Sequence, residues 1–167
     1  MKVFGVTGWK NAGKTTLVSN LVTELTARGF TVSTIKRTHH NVDLDKSGTD
    51  SFAHRSAGAQ EVMLASDKRY AILKEHQVAP PKLSDLLQRL NPVDVILVEG
   101  FKKEPHPKIE CHRKGCEMPL IANNNSTVKL IATDEMLETE VPQVDINRID
   151  EIADFVMDQT GLAEMRG

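Results

Sequence analysis

The chain is poor in the features that mark secreted, membrane and nucleic-acid-binding proteins. It has only 2 cysteines in 167 residues, too few for a disulfide framework. No apolar run approaches the length of about 20 residues that a membrane-spanning helix needs, so we expect no membrane partner. Lysine and arginine number 21 against 23 acidic residues, and this balance provides no basic surface for nucleic acid. The N-terminus lacks the pattern of a signal peptide, which predicts a cytoplasmic protein.

The start of the sequence contains a phosphate-binding loop. Residues 8–15 read G-W-K-N-A-G-K-T directly after an apolar segment, and they match the pattern G-x-x-x-x-G-K-[ST]. A glycine-rich turn that only caps a helix is the alternative, and the flanking strand and helix patterns disfavour it. We expect Lys14 to reach the β and γ phosphates of a nucleoside triphosphate, and Thr15 to ligate Mg²⁺. The residues predicted to bind the nucleotide are Gly8, Asn11, Ala12, Gly13, Lys14, Thr15 and Thr16.

Strand-like and helix-like segments alternate along the chain. Apolar positions at helical spacing predict helices from Thr15 to Arg28, near 50–57, after Pro81 and over 149–160. Short apolar or β-branched runs predict strands over 2–7, 31–35, 93–98, 108–112 and 128–133, and a hairpin of 61–66 with 70–74. This order predicts an α/β, P-loop NTPase-like three-layer fold with a mainly parallel sheet and extra antiparallel strands. We expect residues 1–167 to form one nucleotide-binding domain.

A second candidate site residue ends an apolar strand. Residues 93–102 read V-D-V-I-L-V-E-G-F-K, as expected for a strand buried on both faces. The strand delivers Glu99 to the carboxyl edge of the sheet, where ligands of open α/β folds bind. We therefore expect Glu99 to hold Mg²⁺ directly or through water. A solvated strand-end acid is the alternative.

Four sequence blocks keep one order along nearly the whole chain. They are G-W-K-N-A-G-K-T-T-L, I-K-R-T-H-H-N-V-D-L-D-K-S-G-T-D-S-F-A-H-R-S-A-G-A, V-E-G-F-K and P-K-I-E. Together they resemble the molybdopterin-guanine dinucleotide biosynthesis adapter family. The resemblance implies a homodimeric P-loop protein, related to dethiobiotin synthetase and the ParA/MinD-like group, that binds GTP with at most slow hydrolysis. It also implies a partner, the guanylyltransferase that joins GMP to molybdenum cofactor.

The acidic segment after the second strand supplies a third candidate metal ligand. In the related dethiobiotin synthetase arrangement, an aspartate here shares Mg²⁺ with the loop threonine and the strand-end glutamate. Asp43, Asp45 and Asp50 are available, and Asp45 matches best, so the predicted metal ligands are Thr15, Asp45 and Glu99. A solvated loop is the alternative for any one aspartate. The adjacent His39 and His40 are favoured as an exposed pair, with phosphate or partner contacts as the alternative.

The nucleotide base and the enzymatic activity are less well defined by the sequence. The N-K-x-D pattern of small GTPases is absent. Residues 147–150 differ from it by one substitution, but they open the last helix, where capping is favoured. Thr133 and Asp134 are another candidate for the base. The residues alone predict a purine nucleotide, and GTP follows from the resemblance. A nucleotide-dependent small-molecule kinase or ligase of the dethiobiotin synthetase type is the alternative function.

Overall fold

A six-stranded parallel sheet carries the phosphate loop. The computed structural model describes residues 1–38, 44–76 and 78–166. The sheet has the strand order β2-β5-β1-β6-β7-β8, and all its neighbouring strands are parallel. In chain order the strands are β1 (Lys2–Gly8), β2 (Val32–Lys36), β3 (Glu61–Ala65), β4 (Tyr70–Lys74), β5 (Val95–Glu99), β6 (Lys108–Cys111), β7 (Val128–Thr133) and β8 (Gln143–Asp145).

The helices differ in length and in how much core they cover. They are α1 (Lys14–Ala27), α2 (Asp50–Ser56), α3 (Leu83–Leu87) and α4 (Ile149–Thr160), with short 3₁₀ helices at Ile121–Asn124 and Ala163–Arg166. The two long helices, α1 and α4, contact each other and β1, so they cover the same face of the sheet. Among the described residues, no helix is long and apolar enough to cross a membrane.

The chain divides into two compact units. One consists of Met1–Arg37 and Leu86–Gly167 and contains the six-stranded sheet; the other, Thr38–Asp85, contains β3 and β4. In the second unit these strands pair antiparallel from Glu61↔Lys74 to Ala65↔Tyr70, and the Lys74 Nζ–Glu61 Oε1 ion pair of 2.6 Å crosses them. The expectation of one domain over 1–167 stays a prediction.

The predicted fold class is confirmed. The sheet is parallel, the hairpin adds the expected antiparallel strands, and the last helix has the predicted bounds of Ile149–Thr160. One strand, β8, was not predicted. It has only three residues, Gln143–Asp145, and it pairs parallel with β7. A strand this short has too few positions for a periodic pattern.

Two buried charged side chains fix the loops beside β6. Lys108 is 1% exposed, and its Nζ donates to the carbonyl of His106 at 2.8 Å and to Thr127 Oγ1 at 3.0 Å. Burial lowers the pKa of Lys108 to about 8. The carboxylate of Glu110, 0% exposed, accepts hydrogen bonds from the main-chain N–H groups of Ile121 and Ala122. The 3₁₀ turn after β6 is therefore held to the sheet by a buried charge.

The junction of β1 and the phosphate loop has no room for a side chain. Gly8 has φ +142°, and a Cβ there would lie 2.5 Å from the main-chain oxygen of Cys111. We expect Gly8→Ala to lower the free energy of unfolding by about 2 kcal/mol or more, because strain and a backbone clash add. The measurement is denaturant-induced unfolding.

The matched control for that variant is Gly115→Ala. Gly115 also has a positive φ of +82°, but a Cβ there would meet nothing within 4 Å. We expect it to cost about 1 kcal/mol from backbone strain alone. Equal destabilisation by the two variants would contradict the clash at Gly8.

Candidate functional site

The phosphate loop presents main-chain N–H groups at the start of α1. Asn11 has φ +63° and Gly13 has φ +88°, and these left-handed residues turn the chain from β1 into the helix. Gly13 is the N-cap of α1, and no side chain caps this helix end. The first-turn N–H groups and the positive end of the helix dipole therefore face the loop. This arrangement suits an anion such as a phosphate.

Lys14 folds back over the loop. Its Nζ donates to the main-chain oxygen of Trp9 at 2.6 Å. Ala12, between them, is 3% exposed and belongs to the core, whereas Asn11 and Thr16 are exposed. A phosphate in the loop would compete with one neutral carbonyl oxygen for the Lys14 ammonium, and the negative charge of the phosphate oxygen would strengthen its hydrogen bond.

Thr15 and Glu99 lie together at the carboxyl edge of the sheet. Thr15 Oγ1 lies 3.3 Å from each carboxylate oxygen of Glu99. The Lys36 ammonium joins them, at 2.9 Å from Thr15 Oγ1 and 3.2 Å from Glu99 Oε1. Glu99 is 7% exposed, so its negative charge is offset mainly by this one lysine. A cation, a hydroxyl and a buried carboxylate thus meet at the start of α1.

Asp45 belongs to the second compact unit, where Arg55 binds both of its carboxylate oxygens. Arg55 Nη2 lies 2.8 Å from Asp45 Oδ1, and Arg55 Nε donates to Oδ2 at 3.3 Å. Arg55 also pairs with Glu75 at 2.6 Å. Asp45 is 9% exposed, so the alternative of a solvated aspartate does not apply to it. His39, His40 and Asp43 lie outside the described residues.

The two cysteines are free thiols. In the part of the chain that the structure describes, no three His, Cys, Asp or Glu side chains are grouped to hold a metal ion. Cys111 and Cys116 are free, and burial raises the pKa of the Cys111 thiol to about 12. Cys111 is therefore a protonated thiol in the core rather than a thiolate ligand.

A cavity of about 290 Å³ lies at the carboxyl ends of β7 and β8, and Thr133, Asp134 and Asp145 line it. Asp134 accepts a hydrogen bond from the Lys114 main-chain N–H at 2.7 Å, and this contact, with the guanidinium of Arg113, lowers the pKa of Asp134.

The expected capping role of the 147–150 segment is wrong for Asn147. Its side chain donates to Asp145 Oδ1, and the N-cap of α4 is Arg148, without a side-chain cap.

Comparison with known proteins identifies the family. The profile of the family described as Molybdopterin guanine dinucleotide synthesis protein B, or MobB, matches residues 3–134. The chain belongs to the MobB family. The resemblance drawn from the sequence blocks is confirmed, because the matched residues include the phosphate loop, the acidic segment and the strand that ends at Glu99.

Relatives of this MobB-family chain share most of its length. The molybdopterin-guanine dinucleotide biosynthesis adapter protein of Haemophilus influenzae is 44% identical over 156 residues, or 92% of this chain and 86% of that protein. The protein of the same name from Escherichia coli is 39% identical over 157 residues, or 90% of this chain and 88% of that protein.

Solved structures of MobB proteins share the fold. The MobB homologue from Bacillus stearothermophilus aligns with a TM-score of 0.71 at 24% identity, over 97% of this chain and 99% of that one. Bacillus subtilis MobB aligns with a TM-score of 0.73 at 23% identity, over 96% of this chain and 98% of that one. At these identities the likeness shows the fold alone.

Sequence reasoning missed two lysines of this MobB-family chain, one beside Glu99 and one beside the phosphate loop. Lys36 ends β2 and is the register partner of Glu99, so a correct pairing of β2 with β5 would have found it. Lys102 follows β5, and its Nζ lies 4.0 Å from the centroid of the Trp9 ring. No sequence pattern indicates that contact, because it joins the phosphate loop to a turn far along the chain.

Proposed function

We propose that this chain is a GTP-binding adapter of molybdopterin-guanine dinucleotide synthesis. It acts in the cytoplasm, binds GTP with Mg²⁺, and assists the guanylyltransferase that attaches GMP to molybdenum cofactor. The observation that carries the proposal is the N-terminus of α1 at the phosphate loop, which no side chain caps, with Thr15 against the buried Glu99. Membership of the MobB family and the adapter name of the relatives from two organisms support the pathway.

The residues of the phosphate loop fit a nucleotide in three ways. The Cβ-free position at Gly8 keeps the loop against β6, and the start of α1 offers main-chain donors without a capping side chain. Lys14 is held by a single neutral acceptor, which a phosphate would replace. The residues that would hold the phosphates are Gly8, Asn11, Ala12, Gly13, Lys14, Thr15 and Thr16.

The purine would lie toward the cavity at the ends of β7 and β8. This cavity belongs to the same sheet edge as the phosphate loop, since Gly13 lies close to Arg113 and Ile146, which follow β6 and β8. The Asp134 and Asp145 carboxylates line it, and carboxylates accept hydrogen bonds from the N–H groups that guanine presents. Adenine presents fewer such donors, which favours GTP over ATP.

The metal site would use Thr15 and Glu99, with Asp45 as the third proposed ligand. Oxygen ligands of this kind suit Mg²⁺, which supplies charge neutralisation of the β and γ phosphates when bound. The Lys36 ammonium contacts both Thr15 and Glu99, so it neutralises the carboxylate that the dication would need. Asp45 would have to exchange the guanidinium of Arg55 for the metal.

The first test of this proposal is nucleotide binding. We expect titration calorimetry to show tighter binding of GTP than of ATP. Lys14→Ala should weaken GTP binding by about tenfold or more, because a charge-assisted contact to phosphate is lost. Lys10→Ala is the matched control, since Lys10 is an exposed lysine of the same loop and should bind normally. Equal affinity for the two nucleotides, or full binding by Lys14→Ala, would count against the proposal.

The second test concerns the metal. We expect Glu99→Gln to raise the Mg²⁺ concentration that half-saturates GTP binding, because the variant keeps the shape and removes the charge. Lys36→Met should lower that concentration by about fivefold, since a competing cation worth about 1 kcal/mol is removed. Lys129→Met, an exposed lysine on β7, is the control. An unchanged Mg²⁺ requirement in both site variants would show that Thr15 and Glu99 do not hold the metal.

Slow hydrolysis follows from the groups gathered around Thr15. Among the described residues, the charged groups that contact Thr15 are Glu99 and Lys36, and the carboxylate is needed for the metal. A stabilising arginine raises the rate of GTP hydrolysis by about 10³–10⁵-fold, whereas the guanidinium of Arg113, which lies near Gly13, is paired with Asp134. An adapter needs nucleotide binding rather than turnover, so these groups suffice for the proposed role.

The third test is reconstituted dinucleotide synthesis. We expect the protein alone to turn over GTP at well under about one per second, below the range typical of kinases. Added to the guanylyltransferase at limiting GTP, it should increase the amount of molybdopterin-guanine dinucleotide formed, and Lys14→Ala should not. Fast turnover on a small-molecule acceptor without that partner would instead support the kinase or ligase function.

The proposed homodimer is checked on the isolated protein. On the β3–β4 hairpin, Met63 and Ile72 are cross-strand partners that are 63% and 45% exposed, and the adjacent Tyr70 is 63% exposed. Such a contiguous apolar face supports self-association. Light scattering should give twice the chain mass of 18.5 kDa, whereas a monomeric mass would contradict the homodimer.

A further inference from the structure

A second cavity, of about 490 Å³, adjoins the phosphate loop. We call it the Trp9 cavity; its lining includes Trp9, Lys102, Lys103, Leu120 and Asn124. All of these residues lie in the unit that contains the six-stranded sheet. The cavity combines an apolar wall with two lysines and two amides. The roles proposed above for the loop, the metal ligands and the base cavity do not involve it.

The walls of the Trp9 cavity are held in place from several sides. Trp9 Nε1 donates to the main-chain oxygen of Pro119 at 2.8 Å. Asn125 Nδ2 donates to the main-chain oxygen of Lys102 at 2.8 Å. The 3₁₀ turn that follows Pro119 is tied to the buried Glu110. These hydrogen bonds hold the walls of the cavity in place, and one of them fixes the position of the Lys102 main chain.

Lys102 is a cation that rests on an aromatic ring. Its Nζ lies over the Trp9 ring, 4.0 Å from the centroid, and no carboxylate in the described residues forms an ion pair with it. Burial, and next the charge of Lys14, lower the pKa of Lys102. Two ammonium groups are thus held on one tryptophan, Lys14 by its carbonyl oxygen and Lys102 by its ring face. An anion placed here would relieve the repulsion between them.

We propose that the Trp9 cavity binds a phosphate group, and that Lys102 is the side chain that binds it. Lys102 leaves the indole face and donates to the phosphate oxygens, while the apolar wall and Asn124 contact the rest of the ligand. The phosphate has two sources, the terminal phosphate of bound GTP or that of a second phosphorylated small molecule. Only the first source rests on the proposed function.

The chemistry of the cavity favours phosphate over a lipid tail or a neutral metabolite. Two lysines, Lys102 and Lys103, are among the residues that line it, and a phosphate carries enough charge to pair with both. An indole face attracts a cation by about 0.5–2 kcal/mol. This attraction keeps the Lys102 ammonium at the cavity, and it is weaker than a hydrogen bond between the ammonium and a charged phosphate oxygen. The cation–π contact therefore yields to an anion.

Trp9 is the only tryptophan in the chain, so tryptophan fluorescence reports on this one residue, which lines the cavity and also belongs to the phosphate loop. The emission with GDP and Mg²⁺ bound is therefore the reference, because a phosphate in the loop takes Lys14 from the Trp9 carbonyl oxygen. A non-hydrolysable GTP analogue, or inorganic phosphate added to GDP-loaded protein, should change the emission, because the cation leaves the ring. A change with the analogue assigns the terminal phosphate of GTP; a change with inorganic phosphate alone assigns a second ligand.

The matched variants are Lys102→Met and Lys129→Met. We expect Lys102→Met to weaken binding of the effective probe by about tenfold or more, measured by calorimetry, with GDP affinity unchanged. Lys129→Met should bind both normally. No emission change with either probe, or unchanged probe affinity in Lys102→Met, overturns the proposal. If the protein binds no GDP, the proposed function fails, and a phosphate titration of the nucleotide-free protein still tests the cavity.

Discussion

The candidate site depends on the parallel pairing of β5 with both of its neighbours. Glu99, the last residue of β5, is in register with Val6 of β1 and with Lys36 of β2. Because β1 leads directly into the phosphate loop, this register sets the buried carboxylate beside Thr15 at the first turn of α1. A shift of the pairing by one residue would turn Glu99 to the opposite face of the sheet.

Three lysines in and beside the candidate site make contacts that a ligand could replace. Lys36 neutralises Glu99, Lys14 rests on a carbonyl oxygen, and Lys102 rests on an indole ring. Each contact satisfies a charged group that would otherwise be poorly solvated. None of these partners is as strong an acceptor as a phosphate oxygen, or as strong a cation as a divalent metal. The proposed ligands would therefore replace weaker partners in all three contacts.

Most of the fold was predictable because its elements follow local patterns. The apolar positions of α4 and the β-branched run of β7 predicted both elements with the bounds that the structure shows. The errors fall where tertiary contacts decide. Gln143–Asp145 becomes a strand only by pairing with β7. Asn147 prefers the nearby Asp145 carboxylate to the end of α4, and the strength of that charged acceptor is not visible in a capping pattern.

The sequence by itself determined the loop motif of residues 8–15, the family and the residue types proposed to hold a metal, because these are carried by contiguous motifs. Only the tertiary structure decided which charges meet. Thr15 and Glu99 are 84 positions apart, and the Trp9 indole is bonded to a carbonyl 110 positions away. The acidic segment shows the difference most clearly, since the sequence offers three aspartates there and the structure pairs Asp45 with Arg55, a contact that no motif indicates. Motifs fix residues over a few positions, whereas strand register and loop packing fix the distances between motifs, and electrostatic interactions depend on distance.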